Sequence, residues 1–151
     1  EYGQGWNVTA RPDGTIFDEK GQEYYCLYWE GSELDCWDMD RGFCVPGSDT
    51  AAFLEDALQK LGLSRREANE FIIYWLPRME PNPYNLISFQ FERYTDAAKL
   101  EVSPAPDTLI RVFMTFKPLD QPVDIEPQTL TAPERTGFTV VEWGGSVVNE
   151  K

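Results

Sequence analysis

Apolar and polar positions change period along this chain, and the changes mark out its elements. Trp6 to Ala10 alternates as a half-buried strand does, and Pro12-Asp13-Gly14 supplies turn chemistry before Thr15-Ile16-Phe17. A second turn over Asp18 to Gly21 leads into Glu23 to Glu30, a run of Tyr, Leu and Trp that suits a pleated surface. Two hairpins are predicted in this stretch.

The period then lengthens to that of a helix. Phe53, Leu54, Ala57, Leu58 and Leu61 form one apolar stripe, with Glu55, Asp56, Gln59 and Lys60 opposite and Ser48 or Asp49 as cap. Gly62 suits the left-handed position after this helix, and Leu63 can fold back on Leu58. Ser64-Arg65-Arg66-Glu67 reads as a capping box opening a second helix. Its end is ambiguous. Ala68, Phe71, Ile72, Trp75 and Leu76 continue a helical stripe, but Phe71 to Leu76 is also an unbroken apolar run, and Pro77 disfavours helix at Leu76. The reading adopted is a helix over 65–70 and then a strand through Trp75.

After a turn at Pro81 to Asn85, strands are predicted at Leu86 to Phe91, Leu109 to Phe116 and Gly137 to Trp143, the last stopped by Gly144-Gly145. A helical turn falls near Tyr94 to Leu100. Pro118, Pro122, Pro127 and Pro133 punctuate an irregular connection. The predicted architecture is α+β: a mostly antiparallel sheet of six or seven strands with a local helix pair at about 49–61 and 65–70, in one globular domain spanning 1–151.

Composition narrows the chemistry. The chain has 13 Lys plus Arg against 26 Asp plus Glu, a net charge of −13, which disfavours phosphate backbones and anionic membrane surfaces. It contains no His, which removes Ser-His-Asp and Cys-His nucleophile pairs and every His-ligated metal or haem. No segment approaches 18 apolar residues, so no membrane insertion is expected of this domain. The start at Glu1 rather than Met points to a processed or excised chain. No cofactor or metal is predicted.

The acidic excess concentrates near Glu30, Glu33, Asp35, Asp38 and Asp40. This is a solvated loop or a docking surface for a basic partner; a calcium site fits less well, because the spacing is not that of an EF-hand. Cys26, Cys36 and Cys44 are an odd number; Cys36 and Cys44 flank a short loop and are the disulfide candidate, with three reduced thiols as the alternative. Without His, only Lys or Arg can activate a nucleophilic thiol, so no catalytic cysteine is assigned. Glu30, Glu70 and Glu142 lie beside aromatic residues and are the three acids from which a pair for glycoside cleavage would be drawn; the alternative is that Glu30 and Glu142 end strands facing water and Glu70 pairs with an Arg. Five Trp in so small a domain point to stacking on a ligand or to core packing. Trp29, Trp75 and Trp143 sit in apolar runs and read as core. The binding candidates are Trp37, Trp6 and Tyr84, with Asp35, Asp38 and Asp40 around Trp37. Asn7-Val8-Thr9 fits a glycosylation acceptor. Arg111, inside an apolar strand, faces solvent or a buried acid.

Tyr28-Trp29-Glu30, Gly42-Phe43 with Asp49 to Glu55, Asn69 to Pro77, Pro83-Tyr84-Asn85, Pro106 to Met114 and Gly137 to Gly145 together resemble an uncharacterised bacterial family of predicted secreted or lipid-anchored proteins of gut clostridia. The resemblance runs from about Trp6 to Gly145. It implies an extracytoplasmic address and carries over no catalytic residue. The expected function is a non-catalytic extracytoplasmic domain that binds a glycan, peptide or protein. The alternatives are an acid-only hydrolase acting on glycans and an acidic inhibitor or immunity-type protein covering a basic partner.

Overall fold

The computed structural model describes residues 5–31 and 37–148, and the chain divides into two compact units, Glu1–Glu33 and Leu34–Lys151. The α+β class holds, but the strands form two sheets, of three and four strands, instead of one sheet of six or seven.

The first unit is an antiparallel meander of β1 (Val8–Ala10), β2 (Ile16–Asp18) and β3 (Glu23–Tyr24). Both predicted turns form. Asp13 accepts the Thr15 N–H at 2.9 Å, and Asp18 accepts the N–H groups of Lys20 and Gln22 at 2.9 and 2.8 Å, with Gly14 and Gly21 at positive φ. The predicted strand over Glu23 to Glu30 contracts to its first two residues. Strands this short are set by their own tight turns and present no continuous apolar face, so they close a small sheet of their own.

The second unit carries the core. After β4 (Phe43–Pro46) and a 3-10 turn at Gly47–Asp49 come α1 (Thr50–Lys60) and α2 (Arg65–Met79). Then follow β5 (Tyr84–Gln90), the short α3 (Glu92–Ala97), β6 (Thr108–Leu119) and β7 (Thr139–Val147). The strand order is β4-β5-β6-β7, antiparallel except for the last pair. Residues 120–138 return the chain to the same end of the sheet, which is what makes β7 parallel to β6. Strand β4 falls outside the predicted set because it is four residues long and ends in Pro; pairing with β5 defines it.

Local helix signals hold almost throughout. The N–H groups of Gly62 and Leu63 donate to the carbonyls of Gln59 and Leu58, closing α1 with Gly62 at φ +92°. The capping box at Ser64 and Glu67 is complete. At the start of α1, Asp49 holds the cap position but accepts the Ser48 hydroxyl instead of a helix N–H. The predicted strand at 71–75 is corrected: α2 continues through Pro77 to Met79, because Ala68, Phe71, Trp75 and Met79 bury one face on the sheet. Pro77 costs the helix one hydrogen bond, to the carbonyl of exposed Ile73.

The predicted stop at Gly144-Gly145 is also corrected, since both lie inside β7. A Cβ on Gly145 would fall 2.7 Å from the Trp75 ring and 2.5 Å from the Met114 carbonyl oxygen. Gly145 thus allows close helix-to-sheet approach, whereas Gly144 lies on the opposite face, where a Cβ would fall 3.3 Å from the Phe113 ring. Ile87, Phe89, Ile110, Val112, Met114 and Phe116 face the helix pair and pack on Leu54, Leu58, Phe71 and Trp75.

Candidate functional site

Alternation along β5, β6 and β7 turns a second set of side chains away from the helix pair: Ser88 and Gln90, then Arg111, Phe113 and Thr115, then Glu142. Arg111 and Glu142 are register partners on the parallel strands, with side chains only 7% and 12% exposed. The Arg111 guanidinium contacts both carboxylate oxygens, through Nε and through Nη2 (3.3 Å), and its Nη1 donates to the Ala98 carbonyl at 2.7 Å. The Tyr94 hydroxyl donates to the same carboxylate at 2.6 Å. The Tyr94 ring lies between the guanidinium, 4.7 Å from its centroid, and the Phe113 ring at 4.2 Å, and Trp37 packs on Phe113 at 4.8 Å.

Electrostatics follow from this packing. Burial, reinforced by the hydrogen bond to Glu142, pushes the Tyr94 hydroxyl well above its ordinary pKa. Burial alone would lower the Arg111 pKa, but Glu142 outweighs it and keeps the guanidinium charged. Glu142 therefore has its proton acceptors occupied by three donors from two side chains. The group holds α3 to the sheet and presents no free acid or base.

The neighbouring polar cluster is likewise internal. The Gln90 amide accepts from the Asp38 N–H (3.3 Å) and donates to the Asp38 carbonyl (2.7 Å), and the Ser88 hydroxyl donates to that carbonyl at 3.1 Å. The Gln128 amide does the same for Phe89, with both bonds at 2.8 Å. Each glutamine stands in for a missing strand neighbour.

The structure places the predicted binding residues in different surroundings. Trp37, Asp38 and Asp40 run together over Phe113 and Gln90; Trp37 is half-buried, and the Asp38 carboxylate accepts the Asp40 N–H at 3.0 Å. Asp35 and Cys36 lie outside the described residues, and with them the Cys36–Cys44 loop; Cys44 is half-buried in β4 and accepts from the Val123 N–H. Tyr84 is half-buried at the opposite end of β5 from Gln90. Trp6 belongs to the first unit and is 44% exposed. In that unit Asn7, exposed, donates to Glu19 at 3.3 Å beside an open depression of about 160 Å³ lined by Asn7, Val8, Thr9, Phe17, Asp18 and Glu19.

The three candidate acids are separately engaged: Glu30 by the Tyr28 hydroxyl, Glu70 beside Arg66 at 3.9 Å, and Glu142 in the buried group. Among the described residues no three carboxylates or thiolates converge as metal ligands, and no helix is long and apolar enough to cross a membrane.

What sequence reasoning missed is on α2. Ile73 is 75% exposed and Tyr74 44%, and the Tyr74 ring lies 6.2 Å from Trp143 of β7 and under the Arg78 guanidinium at 4.2 Å. Helical spacing through Met79 would have set Ile73 opposite the Phe71 and Trp75 stripe. Comparison with family models, curated proteins and solved structures finds no match.

Proposed function

We propose that this chain is a non-catalytic, extracytoplasmic binding domain whose ligand is a peptide or protein. The observation that carries the reading is the exposure of two successive apolar residues of α2, Ile73 and Tyr74, the latter beside Trp143, on an otherwise acidic chain. A helix residue exposed to that extent contributes nothing to the core, and apolar side chains beside an edge strand are the usual ingredients of a docking surface. The saturated contacts of Glu142 argue against the acid-only hydrolase. The extracytoplasmic address rests on the family resemblance.

The test is a random-peptide display library and an immobilised glycan panel, each probed with the unaltered chain and with Ile73→Asp. Peptides retained by the former and lost by the latter, with both proteins equally folded by circular dichroism, are the expected result. Retention of glycans alone, or release of a cleaved product, would overturn it.

A further inference from the structure

The two edges of the four-stranded sheet are treated differently. Along β4 and the end of β5 the chain covers its own edge. Glu126 accepts from the Gly42 N–H at 2.9 Å and pairs with Arg41, and Gln128 takes both backbone groups of Phe89. Strand β7 has no such cover: among the described residues no strand pairs with its outer edge. Natural edges are guarded by Pro, Lys, inward-pointing charges or bulges. The sequence of β7, TVVEWGGSV, carries neither Pro nor Lys, and its one inward-pointing charge, Glu142, is already neutralised by Arg111.

We infer that the outer edge of β7 receives an extended, basic segment of a partner protein as a fifth strand. This deepens the binding reading above and rests on it. Main-chain hydrogen bonds from the alternate residues of β7 whose N–H and C=O point away from β6 would supply affinity, and alternate side chains would supply specificity. Val141, Trp143 and Gly145 face the helix pair, so every second residue of the incoming strand meets the Tyr74 side and is apolar. The residues between them meet the Glu142 and Tyr94 side, bordered by the segment that bears Glu92 and Glu101.

Charge selects the occupant. A second copy would bring another −13 against the first. Every Lys and Arg between 37 and 148 already has a partner within the chain. Lys or Arg alternating with apolar residues in the ligand would meet this acidic excess.

The experiment follows amide hydrogen exchange of the full chain with two ten-residue peptides, one alternating Val and Lys and one alternating Val and Glu. The Val-Lys peptide should slow exchange selectively over 139–147, with the Val-Glu peptide and the Tyr74→Lys variant each weakening the effect about tenfold or more. Unchanged exchange over 139–147, or equal slowing by both peptides, would overturn the inference. So would slowing produced by raising the protein concentration alone, which would assign the edge to a second copy. Peptide binding that Ile73→Asp abolishes but that leaves 139–147 unprotected sinks strand addition and keeps the binding domain; no binding to any probe sinks both.

Discussion

Arg111 and Glu142, 31 positions apart, stand opposite each other in the register of β6 and β7 and close a buried two-point ion pair between parallel strands. Two charges withdrawn from water hold together because each has further hydrogen bonds, from Tyr94 to Glu142 and from Arg111 to the Ala98 carbonyl. Such a pair registers two strands and a helix at once.

Removing one partner leaves the other charge buried and uncompensated, which costs about 3–5 kcal/mol. Arg111→Leu and Glu142→Leu are each expected to lose stability on that scale in urea unfolding. The double variant should lose less than the two single losses together. Additive losses would show that the pair does not act as a unit.

Tyr94 connects this group to pH. Its hydroxyl pKa is raised in the folded chain, so its contribution is complete below the ordinary value of 10.0 and is lost as pH rises beyond it. Tyrosinate absorbance should appear for the exposed tyrosines first, with one tyrosine ionising only as the alkaline unfolding transition is reached. Tyr94→Phe should remove that late step and cost about 1–2 kcal/mol at neutral pH through the lost hydrogen bond to Glu142.

Gly145 tests the helix-to-sheet approach. An added methyl would press on both the Trp75 ring and the Met114 carbonyl, and the backbone oxygen cannot move aside. Gly145→Ala should destabilise by about 1–3 kcal/mol. Trp75→Phe should relieve only part of that loss, because the Met114 contact remains. Thermal unfolding of the single and double variants measures both effects.

Glu67 sets the acid side. Burial by itself raises its carboxyl pKa, but hydrogen bonds from Arg135 (2.6 and 3.0 Å) and from Ser64 (2.7 Å) outweigh burial and hold it below 4.5. Its stabilisation is therefore present above 4.5 and lost as pH falls through the lowered value. Glu67→Gln, which can keep the cap but not the charge, should flatten the fall in stability as pH drops below 4.5 and cost about 1 kcal/mol at neutral pH.

The elements that were legible in the sequence are those whose partners lie within a few residues. The turns at Asp13 and Asp18, the Gly62 closure and the Ser64-Glu67 box all exchange hydrogen bonds over two to five positions, so residue type alone specifies them. The helix over Thr50–Lys60 carried its own amphipathic stripe and its own stop.

The candidate site was less legible. Trp37 reads from its acidic neighbours as an exposed ring, yet Phe113, far along the chain, half-buries it. The run Phe71 to Leu76 fits strand or helix equally, and only the sheet beneath Phe71, Trp75 and Met79 decides for a helix that passes through Pro77 and leaves Ile73 outside. Gly144-Gly145 looks like a stop until Trp75 is seen to require a glycine at 145. Residue type and spacing thus determined where backbone signals are local, along with the missing His and the charge. Register across residues 84–147 decided which side chains meet, because that pairing is chosen by burying the most apolar surface over all strands at once.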